Sequence, residues 1–263
     1  MANDSVGRTF GVALGVCLVC SVLVSAAAVS LRPTQAVNKT LDKKRNILMA
    51  AGLLKSGEVA SGERIDELYR NINTRVVDLA TGEYVDGVDP IEYDQRRAAK
   101  DPAQSEVVPA DIDIANVKRR ALHASVYLVS QKGKIKKVIL PVHGLGLWST
   151  LYGFVALDAR DLNTIRGLVY YEHAETPGLG GEVDNPSWKA LWDGKKAFDE
   201  SGAVRIEVIR GKVVQGRPET QYQVDGLSGA TITSRGVRDM LRYWLGAETF
   251  GPYLAKLKER GVS

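Results

Sequence analysis

Three glycine-rich segments and three histidines hold most of the chemistry this chain could perform. The segments are Pro141-Val142-His143-Gly144-Leu145-Gly146-Leu147-Trp148, Glu175-Thr176-Pro177-Gly178-Leu179-Gly180-Gly181 and Asp225-Gly226-Leu227-Ser228-Gly229-Ala230-Thr231. Glycine lets a backbone approach a ligand closely or turn through positive φ, and Trp148 and Leu179 offer apolar walls beside it. Singly, each segment reads as a tight turn, but three in one chain point to a shared ligand site. The third says most, because Thr231 stands at the head of an amphipathic run, Thr233 to Leu245. Open N–H groups at a helix start, with the Ser228 and Thr233 hydroxyls nearby, form a seat for a phosphate; the plainer alternative is a Ser/Thr helix cap.

Other chemistries lack their carriers. None of His123, His143 and His173 has a second histidine or a carboxylate at the helical spacing of a metal site, and His123 falls in a strand and reads as structural. No metal site and no catalytic residue are expected. Hydrolase, P-loop and dinucleotide-fold signatures are absent from the sequence. Both cysteines, Cys17 and Cys20, lie in an apolar run, so the chain after Val29 can form neither a disulfide framework nor a Cys-zinc site. Three positions apart on an apolar helix, the pair reads as packing residues.

The elements that must position these segments begin with an anchor. Phe10 to Val29 is uncharged, and twenty helical residues span about 30 Å, the thickness of a bilayer's hydrocarbon core. A cleaved signal peptide is the rival, since Ser25 to Ala28 are small enough for a cleavage site, but the long run and the single Arg8 before it favour a retained helix. The formal charge of +4 belongs to this end: Met1 to Arg45 holds six basic and two acidic residues, and the remainder balances at 29 of each. The folded part therefore has no electrostatic footprint for nucleic acid. Five basic residues follow the span against one before it, a count that by itself puts the folded part in the cytoplasm.

Beyond the anchor, helical spacing predicts a juxtamembrane helix within Asn38–Leu54 and a second over Ser61–Asn71, with Ser61 as cap. Thr81 to Pro109 reads as a long excursion. Strands are expected at Leu122–Ser130, Ile135–Val142, Tyr152–Asp158, Ile165–His173 and Val204–Ile209, with adjacent strands antiparallel. A helix over Asn185–Phe198 would set Trp188, Leu191 and Trp192 on one face, and one over Thr233–Leu245 would bury Val237, Met240, Leu241, Trp244 and Leu245. The organisation is a short tail (1–9), a transmembrane helix (10–29), juxtamembrane helices with the excursion (30–109) and a domain (110–263). The fold class is α+β, a mainly antiparallel sheet flanked by helices.

Asp225 to Thr231 resembles the flavinylation motif of the FMN-binding domain family, and Pro141 to Trp148 and Glu175 to Gly180 resemble that domain's other flavin-proximal loops, in the same order. With the anchor and the Asn46-Ile47-Leu48 to Gly52-Leu53 helix, the chain resembles the C subunits of the Na+-translocating NADH:quinone reductases over nearly its whole length. The resemblance implies covalent FMN on Thr231, attached by a separate flavin transferase using FAD. It implies that Ser228, Gly229 and Ala230 place the phosphate, that Thr176, Gly178 and Leu179 lie against the isoalloxazine or ribityl chain, and that Trp148 and His143 also belong to the flavin site. It implies electron relay to ubiquinone within a sodium pump, the A, B, D, E and F subunits as partners, and a bacterial inner membrane with the flavin domain periplasmic, against the charge count. The G subunits of the related ferredoxin:NAD+ oxidoreductases share these features and are the nearest alternative, and an anchored, non-catalytic flavin-binding module is another. The length of chain between Leu54 and Pro109 favours the quinone-reductase family.

Overall fold

The computed structural model of the protein describes residues 6–55 and 57–261, and the chain divides into two compact units, Met1–Lys43 and Lys44–Ser263. Helix α1 runs unbroken over Val6–Ala50, so the helix expected over Asn38–Leu54 is its continuation. Pro33 inside it removes the bond to the Val29 carbonyl without ending the helix. Among the described residues α1 is the one helix long and apolar enough to cross a membrane. It closes at Gly52, whose φ of 69° is the left-handed conformation of a helix C-terminus. Within the second unit, Ile47, Leu48 and Ala50 from its last turns are buried, and Lys137 Nζ donates to the Ala51 carbonyl at 2.6 Å. That bond satisfies one acceptor the helix end leaves open.

The second unit continues with α2 (Gly62–Tyr69), capped by the Ser61 hydroxyl accepting from the Arg64 N–H, and β1 (Ile72–Asp78). Next come α3 (Gln95–Ala98) and the short pair β2 (Ser105–Val107) and β3 (Arg119–Ala121). The long strands β4 (His123–Gln131), β5 (Lys134–Leu145), β6 (Thr150–Asp158) and β7 (Ile165–Glu172) join β1 in an antiparallel sheet of order β1-β4-β5-β6-β7. The β4–β5 turn puts Lys132 at φ 52° and Gly133 at φ 73°, the two left-handed residues of the turn that matches strand twist. Strand β1 falls outside the sequence expectation because Asn73, Thr74 and Arg75 interrupt its apolar pattern; it pairs in register from Ile72↔Val129 to Asp78↔His123.

The remaining elements are α4 (Pro186–Ala190), β8 (Glu207–Val208), β9 (Gln223–Val224), α5 (Thr231–Trp244) and α6 (Gly251–Arg260). The helix expected over Asn185–Phe198 is only the short α4, after which the chain turns through Gly194 at φ 84°. Trp188 and Trp192 are buried but Leu191 is not. Val204–Ile209 contracts to β8, which pairs with β9 in parallel and not antiparallel. Helix α5 buries Val237, Met240, Leu241, Trp244 and Leu245 as its stripe requires, in one core with Val138, Leu140 and Val142 of β5. Burial of five such side chains, each stabilising by about 1.5–3 kcal/mol, clamps the helix to the sheet.

Candidate functional site

The end of the first glycine segment, Gly146 to Trp148, meets the second and third segments at the N-terminal end of α5, and the Glu175 carboxylate links them. That carboxylate is buried, with the residue 5% exposed. It accepts from the backbone N–H of Leu147 (3.1 Å), Trp148 (2.9 Å) and Ser149 (3.2 Å), and the Thr233 hydroxyl donates to its other oxygen at 2.6 Å. Burial alone pushes this carboxyl up, but the Thr233 hydroxyl and the three N–H groups outweigh it and hold it below the ordinary glutamate value. The glycines make room for the carboxylate. A Cβ on Gly146 would stand 2.6 Å from Glu175 Oε1, and one on Gly180 would stand 2.5 Å from Oε2 and 2.6 Å from Thr233 Oγ1. Around this core, the Ala174 N–H donates to Ser149 Oγ at 2.7 Å, and the Thr176 carbonyl accepts from Leu179 and Gly181 at 3.1 and 2.9 Å.

The third segment is pinned from inside. The Leu227 N–H donates to the buried Ser234 hydroxyl at 2.9 Å, and Trp188 Nε1 donates to the Asp225 carbonyl at 2.8 Å. Gly229 takes φ 71° against Leu179, Ala230 is buried, and Ser228 and Gly229 are exposed. Thr231 opens α5 with its side chain exposed, and no side chain caps the helix, since Ala230 stands at the cap position. The cap alternative is therefore set aside. Thr233 is fully buried on Glu175, so its hydroxyl serves the loops and is not beside Thr231 as part of a phosphate seat. Around this end Trp148 (71%), Ile232 (53%), Leu179 (44%) and Leu147 (42%) stay exposed, an apolar rim about a polar hydroxyl. Thr176 and Gly178 are exposed in the second loop.

His143 is not brought to this cluster. Its ring stacks on Tyr152 at 5.3 Å and lies 4.7 Å from the Trp244 ring, and its carbonyl accepts from Trp244 Nε1 at 2.6 Å. Trp244 is thirteen residues beyond Thr231, about 20 Å along the helix. Burial, reinforced by the Arg96 charge, pushes the His143 imidazole down to about 4. His173 borders the site: its Nδ1 accepts from the Glu175 N–H at 3.2 Å and its Nε2 meets Asp184 at 2.8 Å. No cluster of metal-binding side chains occurs among the described residues.

Sequence reasoning placed the loops, with Glu175 at the head of the second, but gave no part to its carboxylate, to Ser234 or to an inward-facing Thr233. One signal was available, a carboxylate beside glycines in a site with no basic residue to pair it. Chemically the arrangement presents one exposed hydroxyl at an uncapped helix start. The three consecutive amides of the first loop are already taken by an internal anion.

The FMN-binding domain family matches residues 146–246, which contain all three elements of this site except Leu145 and what precedes it. The C subunit of the Na(+)-translocating NADH-quinone reductase of Pseudomonas aeruginosa is 52% identical over 261 residues, covering 98% of this chain and 99% of that protein. The corresponding C subunit of Vibrio vulnificus is 49% identical over 263 residues, covering 100% and 99%. Among solved structures, Shewanella oneidensis NqrC superposes with a TM-score of 0.75 at 36% identity over 84% of this chain and 99% of that one. The C subunit of the Parabacteroides distasonis reductase gives 0.64 at 31% identity over 85% and 96%. Identity of this order across both full lengths, with the antiparallel sheet and the apolar N-terminal helix in place, means that the chain belongs to the family of Na(+)-translocating NADH-quinone reductase C subunits.

Proposed function

We propose that Thr231 carries FMN through a phosphoester bond and that the chain relays electrons within an Na+-translocating NADH:ubiquinone reductase. One observation carries the assignment: an exposed threonine hydroxyl at a helix start that no side chain caps. The open N–H groups of that first turn, with the helix dipole behind them, suit the single negative charge a phosphodiester keeps, which explains why the motif needs no lysine or arginine. The amides of Leu147 to Ser149 are not available for that purpose because Glu175 fills them. Ser228, Gly229 and Ala230 shape the approach to the phosphate. Trp148, Leu179 and Ile232 provide apolar surface for a flat ring, with Thr176 and Gly178 at its edge, and their exposure leaves room for one. Bound there, FMN supplies the redox chemistry; the protein fixes the ring's position and polarity.

In this reading a flavin transferase attaches FMN, and the A, B, D, E and F subunits supply the electron donor and acceptor. The chain is held in a bacterial inner membrane by α1 with its flavin domain on the periplasmic side. The test is ultraviolet fluorescence of the denatured band after expression in membranes beside a competent transferase. A fluorescent band in the wild type that vanishes in Thr231→Ala supports the assignment. A dark wild-type band beside a flavinylated control sinks it.

A further inference from the structure

We propose that Glu175 is the positioning residue of the flavin-acceptor site: seated among the Leu147, Trp148 and Ser149 amides and on the Thr233 hydroxyl, it locks the first turn of α5 so that Thr231 is presented to the transferase in one orientation. The inference rests on the reading of Thr231 as the FMN-bearing residue.

Helix geometry carries the first step. Residues two apart on an α-helix point about 200° apart, so holding Thr233 inward on Glu175 turns Thr231 outward, as it is found. An uncapped first turn ordinarily frays. Here the 2.6 Å bond from Thr233 Oγ1 to Glu175 Oε2 restrains it through a side chain and leaves the N-terminal amides open for phosphate. The anchor is itself rigid, because three successive amides of the first loop fix the opposite carboxylate oxygen. Gly146 and Gly180 admit the carboxylate where any Cβ would collide with it. One buried anion therefore sets the relative placement of all three glycine segments.

In the attachment step Thr231 Oγ1 forms a bond to the phosphorus on the FMN side of FAD. The bond from that phosphorus to the bridging oxygen breaks, AMP leaves with the electron pair, and the hydroxyl proton passes to a base of the transferase. No electron is transferred. Glu175 is not that base, since it is buried and its oxygens are engaged by Thr233 and the loop amides. Its contribution is to orientation, so its loss lowers the turnover of attachment and leaves acceptor docking unchanged.

The experiment measures initial rates of covalent FMN incorporation into the detergent-solubilised full chain, by fluorescence and intact mass, over a range of acceptor concentrations with FAD and transferase. For Glu175→Ala we expect kcat to fall about 10–100-fold with KM unchanged, the loss expected when a reacting group is displaced by about 1 Å. Glu175→Gln should recover most of the rate, because its carboxamide oxygen can accept from the loop amides while its NH2 donates to Thr233 Oγ1. Thr233→Val severs the helix from the carboxylate, keeps the loop amides bonded, and should lower kcat in the same way; it carries the test if Glu175→Ala does not fold. Wild-type kcat in Thr233→Val, or a raised KM at unchanged kcat in either variant, overturns the proposal. A wild-type chain that takes no covalent flavin overturns the reading of Thr231 itself.

Discussion

The two ends of α5 are built on opposite principles. At the start, polar atoms hold three loops through a single buried carboxylate, and the residue that matters is exposed. At the finish, Trp244 is buried among His143, Tyr243 and Phe250 with ring centroids 4.7 to 5.7 Å apart, and the partners are aromatic faces. Packing of the second kind stabilises through area and dispersion and tolerates small shifts. Hydrogen bonds to one carboxylate stabilise less but fix position more sharply, because losing one partner strands the others. The hydroxyl proposed to carry FMN is suited to the first kind of end, and the second supplies the stability that the first lacks.

Substitutions can break that division. Trp244→Ala removes a fully buried ring and should cost about 3–5 kcal/mol, read as a fall in Tm or denaturant midpoint, while whatever chain remains folded still takes up flavin. A loss of flavin from the folded fraction would show that the two ends are not independent. Acid titration separates them next. The His143 ring, near 4 in the folded chain against an ordinary 6.5, is buried neutral. Its contribution is intact above pH 6.5 and is lost as pH falls from there toward 4, by on the order of 2–3 kcal/mol. Glu175, held below its ordinary 4.5, contributes fully above that value and loses its part only as pH falls further. Stability curves measured by denaturant at stepped pH should therefore decline in two stages. His143→Phe should remove the upper stage, and an upper stage that survives it would contradict this account.

Gly180→Ala sharpens the comparison at the polar end. Its Cβ would intrude between Glu175 and Thr233, so we expect about 1–3 kcal/mol of destabilisation together with slowed flavin attachment. An alanine accepted at no cost in either would mean the carboxylate is loosely held. The smallest effect on stability belongs to Thr231→Ala, within about 0.5 kcal/mol for an exposed side chain, although it should abolish covalent FMN completely. A large shift in Tm there would assign Thr231 a structural part.

What the sequence made legible follows the same divide. The α5 stripe and the long strands announce themselves because apolar periodicity reports burial against one partner surface, and Val237, Met240 and Trp244 all lie where the spacing put them. Strand β1 stays hidden because its middle residues are polar and its place is decided by pairing with β4. The Asn185–Phe198 helix is over-read since Gly194 ends the periodicity that two tryptophans suggest. At the site, the motif around Thr231 is visible because it is contiguous. Glu175 acts 58 residues away from Thr233, and no local pattern encodes a bond between them. His143, inside the first segment, lies in the part of it that belongs to β5 and so reaches Trp244 at the far end of the helix.

The continuity of α1 has a practical meaning for dissecting the chain. Ile47, Leu48 and Ala50 belong at once to the helix that begins at Val6 and to the buried interior of the second unit. A protease or a truncation that severs the helix between Val29 and Lys43 should liberate an intact flavin domain. The same cut placed after Leu54 would take away the buried side chains of Ile47, Leu48, Ala50, Ala51 and Leu54 and the carbonyl that Lys137 holds. The excisable fragment therefore begins in mid-helix, and its first residues are the stub of the tether.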